Sequence, residues 1–120
     1  MLSQREIINL INQATGTTAY HKFSSFPNYP VITDGVQALA EAVGCYWLLD
    51  IIGSHQRNPK LDKNFQVWSL EVNQDESTGV VRGYNDDILI ITQKISHTDF
   101  PLDKIKFYLI DGVILLPSEY

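Results

Sequence analysis

Apolar residues at helical spacing predict three helices in the first half of the chain. The first helix begins at Ser3-Gln4-Arg5-Glu6, a capping-box pattern, and its apolar stripe is formed by Ile7, Leu10, Ile11 and Ala14. Gly16 is expected to end it. The Thr17–Phe23 segment is β-prone, and Ser24–Pro30 holds two prolines, which predicts an ordered loop or a sheet edge.

The second and third helices follow Pro30. Thr33-Asp34-Gly35 is an N-cap signal, and apolar spacing then continues until Gly44, which is expected to end the second helix. The third helix, Tyr46–Gln56, is apolar around most of its circumference and leaves only a narrow polar stripe. We expect it to be the most buried of the three.

The second half of the chain is predicted to be a sheet, because β-branched and aromatic residues alternate with turn signals. The expected strands are Phe65–Val72, Val80–Tyr84, Ile88–Ile95, Ile105–Ile110 and Val113–Leu116. Asp111-Gly112 is the strongest hairpin signal, since both residues suit a type I′ turn. The unbroken apolar run Ile88–Ile91 predicts a central strand covered on both faces.

Helices that precede closely connected strands predict an α+β fold, with N-terminal helices packed on one face of a mainly antiparallel C-terminal sheet. We expect residues 1–120 to form a single domain, since 120 residues with 44% hydrophobic content suffice for one core. The expected core includes Trp47, Leu48, Ile51, Ile52, Trp68, Leu70, Ile88, Ile90 and Leu115.

Composition places the chain among cytoplasmic proteins. Its single cysteine cannot form an internal disulfide, and Met1–Glu6 lacks the basic start and apolar run of a secretory signal. No apolar stretch approaches the roughly 20 residues that cross a bilayer. We therefore predict a cytoplasmic protein with no membrane association.

The charge distribution disfavours nucleic acid as a partner. The formal net charge is −5 and lies entirely beyond residue 60, whereas phosphate binding needs the opposite balance. Folding can still gather Lys94, Lys104 and Lys106 on one face, although nothing in the sequence requires it.

An enzyme remains one interpretation, in which Cys45 acts with Asp50 and one of His21, His55 and His97. The sequence lacks the flanking pattern of a cysteine hydrolase, so a packed thiol is the simpler interpretation. The histidines are too widely spaced for a metal motif, and we predict no catalytic residue, metal or cofactor. His55 is expected to be a hydrogen-bonded, partly buried imidazole.

Asp50 is the one charge between Tyr46 and Gly53. In a structural interpretation its carboxylate pairs with Arg57 or with a neighbouring loop, which offsets the cost of partial burial. In a functional interpretation it lines a pocket for a polar ligand together with Tyr46 and Ser54.

The favoured function is a small non-catalytic module that binds a protein partner or a second copy of itself. The expected binding surface joins the polar stripe of the third helix to the proline-stiffened Phe26–Pro30 loop and the start of the second helix, where free N–H groups suit an anion. Its residues are Phe26, Tyr29, Asp34, Tyr46, Asp50, Ser54 and Arg57. The terminal Tyr120 is expected to dock within the fold.

Several motifs spread along the chain resemble those of a family of short bacterial proteins known only as a domain of unknown function. They are Thr33-Asp34-Gly35-Val36, Tyr46-Trp47-Leu48-Leu49-Asp50, Phe65-Gln66-Val67-Trp68, Thr98-Asp99-Phe100-Pro101-Leu102-Asp103 and the ending Val113-Ile114-Leu115-Leu116-Pro117-Ser118-Glu119-Tyr120. The resemblance implies a complete domain and carries no activity, ligand or catalytic residue.

Overall fold

The computed structural model describes residues 3–13 and 19–120. Within them the chain forms three α-helices, seven β-strands and a short 3₁₀ helix at Pro117–Glu119. The helices are α1 (Gln4–Gln13), α2 (Asp34–Val43) and α3 (Tyr46–Ser54). The strands are β1 (Tyr20–Lys22), β2 (Val31–Thr33), β3 (Phe65–Asn73), β4 (Thr78–Asn85), β5 (Ile88–Ile95), β6 (Lys104–Ile110) and β7 (Val113–Leu115).

The predicted α+β fold is confirmed, and the sheet is larger than the C-terminal half alone. Its strand order is β1-β2-β7-β6-β3-β4-β5, and every neighbouring pair is antiparallel except β2 with β7. The N-terminal half adds β1 and β2, which are three residues each and too short to produce a periodic signal. The sheet therefore unites both halves of the chain.

Helix ends follow the capping signals in the sequence. The amide of Glu6 donates to Ser3 Oγ at 3.2 Å and the amide of Ser3 donates to Glu6 Oε1 at 3.2 Å, which completes the capping box of α1. Thr33 caps α2 by accepting from the amide of Val36, and Gly44 ends it with φ 70°. Ala14 and Gly16, expected at the end of α1, lie outside the described residues.

The core lies between the helices and the face of the sheet that they cover, and α3 contributes Leu48, Leu49 and Ile52 to it. Among the other expected core residues, Trp68 and Leu70 are buried. Three more, Trp47, Ile51 and Ile90, are partly buried and pack against the core, and Leu115 is half-buried.

The prediction that Ile88–Ile91 forms a central strand is wrong. Strand β5 is the last of the sheet, and Ile88 and Leu89 have 63% and 49% of their surfaces exposed. The register between β4 and β5 shifts between Gly83 and Tyr84, and irregularities of this kind are over-represented at sheet edges. A continuous apolar run in the sequence does not distinguish an edge strand from a central strand. The position of a strand in the sheet depends on which strands pair with it in the tertiary structure.

Helices pack on one face of the sheet and leave the other uncovered. The helix-covered face carries buried side chains such as Gln66, Trp68 and Leu70 on β3. The opposite face, which we call the open face, carries the alternate residues Val67 and Glu71 of the same strand and is less buried. The described residues include no helix long and apolar enough to cross a membrane.

Candidate functional site

A cleft of about 450 Å³ lies between the loop that precedes β2 and the C-terminal end of α3. We call it the loop cleft. Its walls are formed by Phe26, Pro27, Asn28, Tyr29, Gly53, Ser54, Gln56, Arg57 and Lys63. The sequence-based surface and the structure therefore agree on the loop and on the last turn of α3 as neighbours.

The loop wall is rigid because Tyr29 is wedged against α3. A Cβ atom added at Gly53 would lie 2.6 Å from Tyr29 Cε2, so only glycine admits the ring at this distance. The ring also contacts Phe23 and Phe26, with centroids 5.9 and 5.5 Å away. Asn28 has φ 67°, a value that asparagine tolerates better than most residues. Phe26 is held above the cleft with 63% of its surface exposed.

Charged groups surround the Tyr29 hydroxyl. Burial raises the pKa of Tyr29 above 10.0, the negative charge of Asp50 adds to the rise, and the positive charge of Arg57 opposes it. Lys63 donates to the backbone carbonyls of Gln56 and Asn58, which follow the last turn of α3. The cleft thus combines an aromatic wall with two cationic side chains.

Arg57 is the cation available to a ligand in the loop cleft. It is exposed, and within residues 3–13 and 19–120 it forms no ion pair or hydrogen bond. Asp50 is also exposed, so the premise that its carboxylate is partly buried is wrong. No ion pair joins Asp50 to Arg57 in the described part of the chain, which leaves neither charge neutralised by the other.

The structure gathers only part of the expected binding surface. Phe26, Tyr29, Ser54 and Arg57 line the loop cleft, and Asp50 lies close to Tyr29. Ser54 uses its hydroxyl to donate to the carbonyl of Ile51 at 2.7 Å, within its own helix.

Two expected residues lie elsewhere. Tyr46 begins α3, eight residues before Ser54, and at 1.5 Å per residue this places it roughly 12 Å along the helix axis. Asp34 begins α2 and lines a separate cleft of about 480 Å³ with Glu6 and Glu119. Its Oδ1 lies 2.6 Å from Nε2 of His21, so this carboxylate is already engaged. Sequence patterns can predict a helix N-terminus or a polar stripe on a helix, but they do not show which loop packs beside it. The sequence therefore grouped Tyr46 and Asp34 with residues from which the structure separates them.

Sequence reasoning missed Lys63, Gln56 and Gly53. Lys63 lies in the connection to β3, where no pattern indicates a binding role, and its ammonium is held beside the cleft by the carbonyls of Gln56 and Asn58. Gln56 hydrogen-bonds Gln66 Oε1 at 2.9 Å, so it also ties the cleft to the buried side of β3. A glycine inside an apolar helix was the one available signal, since it often marks close approach of another group.

The other candidate chemistry is dispersed. Cys45 is buried at the start of α3, and burial raises the pKa of its thiol to about 12. His55 lies at the other end of α3, where its Nε2 is 2.7 Å from Gln93 Oε1 and its ring stacks on Trp68. The expectation of a hydrogen-bonded, partly buried His55 is confirmed. An activated Cys45–histidine pair is not formed with His55.

The chain belongs to the family of unknown function DUF6876, whose model matches residues 5–120. This confirms the resemblance to a domain of unknown function. No curated protein and no solved structure shows significant similarity to the chain.

Proposed function

We propose that this protein is a non-catalytic binding module that holds a segment of a protein partner in the loop cleft. The observation that carries the proposal is the exposed Phe26 ring, stacked at 5.5 Å on a wedged Tyr29 at the mouth of a cleft of about 450 Å³. Large exposed aromatic residues beside a pocket are typical anchors of protein interfaces.

Rigidity of the loop favours binding. Pro27 and Pro30 restrict the backbone, and the amide of Phe26 donates to Ser24 Oγ at 3.2 Å. Tyr29 is fixed against Gly53. A surface that is ordered before the partner arrives loses little conformational entropy on binding, so more of the contact energy appears as affinity.

The cleft predicts the chemistry of the bound segment. Phe26 and Tyr29 suit an aromatic or aliphatic side chain. Arg57, which forms no ion pair with another described residue, suits a carboxylate, which its guanidinium can bind through two N–H groups. We therefore expect a peptide with an apolar anchor beside an aspartate or glutamate.

Peptide display against the purified full-length chain tests the proposal. Peptides that bind the wild type are measured on Phe26→Ala and on Tyr20→Ala, a matched control because both rings are 63% exposed. We expect Phe26→Ala to weaken binding by about tenfold or more and Tyr20→Ala by less than about twofold. Arg57→Ala should weaken the peptides that contain a carboxylate. Failure to enrich any peptide, or equal losses in the two aromatic variants, would contradict the proposal.

A cytoplasmic, bacterial setting completes the proposed function. The cytoplasmic setting is supported by the single, buried cysteine, since disulfides form and persist mainly in secreted proteins. The bacterial setting is supported by the resemblance of the chain's motifs to those of short bacterial proteins. Fractionation of the source cells tests this directly, and recovery of the chain outside the cytoplasm would contradict it.

A further inference from the structure

The open face of the sheet has an ordered pattern of its own that the loop cleft does not use. Register pairing places Val67 between Tyr108 and Tyr84, and Ser69 between Lys106 and Arg82. Side chains that lie directly across neighbouring strands share one face. An aromatic row therefore runs beside a basic row across β6, β3 and β4.

Basic side chains are concentrated at one end of the open face. Glu71 pairs with Arg82 at 3.0 Å and lies 3.9 Å from Lys104, which partly neutralises those two cations. Lys94 and Lys106 form no ion pair with any described residue, although Lys106 Nζ lies 5.6 Å from the centroid of the Tyr108 ring. In a chain of net charge −5, this end of the face is locally positive.

Carboxylates occupy the opposite end. Asp86 and Asp87 form the turn between β4 and β5, are exposed, and belong to no ion pair with a described residue. They line a groove of about 330 Å³ together with Lys104 and Lys106. One groove on the open face is thus acidic at one end and basic at the other.

An aromatic cluster adjoins this groove. Tyr120 lies 5.3 Å from Tyr108 and 6.3 Å from Phe65 by ring centroids, with 78% of its surface still exposed. Burying such a ring against another apolar surface stabilises an interface, and tyrosine is enriched in interface cores.

We propose that the open face binds the open face of a second copy, with strands reversed so that Asp86 and Asp87 of each copy meet the basic end of the other. A face with opposite charges at its two ends is complementary to itself under this rotation, as a two-fold interface requires. A nucleic acid is disfavoured because its phosphates would meet Asp86 and Asp87 along the same groove. The loop cleft lies beside α3 on the helix-covered side, so the homodimer leaves it free for the partner of the proposed function.

Charge exchange between two variants tests the dimer. Lys94→Glu with Lys106→Glu reverses the basic end at the two lysines that form no ion pair within the described part of the chain. Asp87→Lys with Asp86→Asn reverses the acidic end, and asparagine is chosen because Asp86 has φ 55°. We expect wild type at roughly 100 µM to have twice the 13.6 kDa mass of one chain by light scattering, and each double variant to have the single mass. An equimolar mixture of the two should recover the double mass.

A matched control reverses the same amount of charge away from the open face. Arg5→Glu with Lys60→Glu alters two exposed cations outside the open face and should leave the dimer intact, as should Phe26→Ala. A single mass for wild type, a dimer that survives both charge reversals, a mixture that stays monomeric or dissociation of the control would each overturn the proposal. So would a monomer that binds a single-stranded oligonucleotide through Lys94 and Lys106.

Discussion

The two faces of β3 differ in how deeply their side chains are buried. On the helix-covered side Gln66, Trp68 and Leu70 are fully buried, while on the open side Val67 is half-buried and Glu71 is exposed. Covalent structure and backbone pairing are shared, so the difference comes from the helices that pack on one side only. Buried contacts on the helix-covered face stabilise the fold, whereas the open face contributes fewer of them.

Gln66, a polar residue on the helix-covered face, shows what burial on that face requires of a polar side chain. Gln66 receives the indole N–H of Trp68 at 2.8 Å and donates to the carbonyl of Asp62 and to Gln56 Oε1, each at 2.9 Å. A buried amide is tolerated because its hydrogen-bonding groups are paired. The open face carries charged side chains, and we expect substitutions of them to change the free energy of unfolding only slightly.

The largest expected effect concerns Cys45, which is buried at the start of α3. Because burial raises the pKa of its thiol to about 12 and blocks access, alkylation at neutral pH should proceed only through unfolding. We expect iodoacetamide to react with the native chain about 1000-fold or more slowly than with the chain in denaturing urea. A fast reaction in the native state, followed by mass spectrometry, would revive the cysteine-enzyme interpretation.

Trp68→Ala should produce the largest loss of stability among single substitutions on β3. It removes a fully buried ring and leaves a cavity, which predicts a loss of about 3–5 kcal/mol in urea denaturation. Val67→Ala, the neighbouring position on the open face, should cost no more than about 1 kcal/mol. Similar losses at the two positions would show that the two faces are equally important to folding.

Gly83→Ala tests the packing of the helix-covered face by adding a methyl group, whereas Trp68→Ala removes a side chain. The added methyl group would lie 2.6 Å from Trp68 Cη2, and such overpacking predicts a loss of about 1–3 kcal/mol. In a Trp68→Leu background the same change should cost less, since the clash is removed. Additive losses in the double variant, measured by denaturant unfolding, would place the cause elsewhere than at this contact.

The smallest effect is expected at Tyr120. With 78% of its surface exposed, Tyr120→Ala should change the unfolding free energy of the monomer by no more than about 0.5 kcal/mol. Measurement at low protein concentration separates this from any effect on self-association. A loss above about 1.5 kcal/mol would mean that the tail is part of the core and that the open face is closed by it.

Local features were predictable because they depend on neighbouring residues. The capping box at Ser3–Glu6, the cap at Thr33 and the stop at Gly44 follow from groups within one turn of each other. The Asp111-Gly112 turn was predictable for the same reason, and both residues have positive φ, 49° and 84°. The loop cleft was predictable only in part. The aromatic residues Phe26 and Tyr29 of the proline-rich loop indicated one wall, but no sequence pattern indicated that Lys63 would line the cleft.

The sequence by itself determined the order and type of the main elements, because hydrophobic period and capping are local properties. Tertiary structure decided which elements are neighbours. It put β5 at an edge despite its apolar run, inserted β7 between β2 and β6, and gathered Lys94, Lys104 and Lys106 on one face of an acidic protein. Strand order arises from pairing between residues far apart in the chain, and no local pattern encodes that choice.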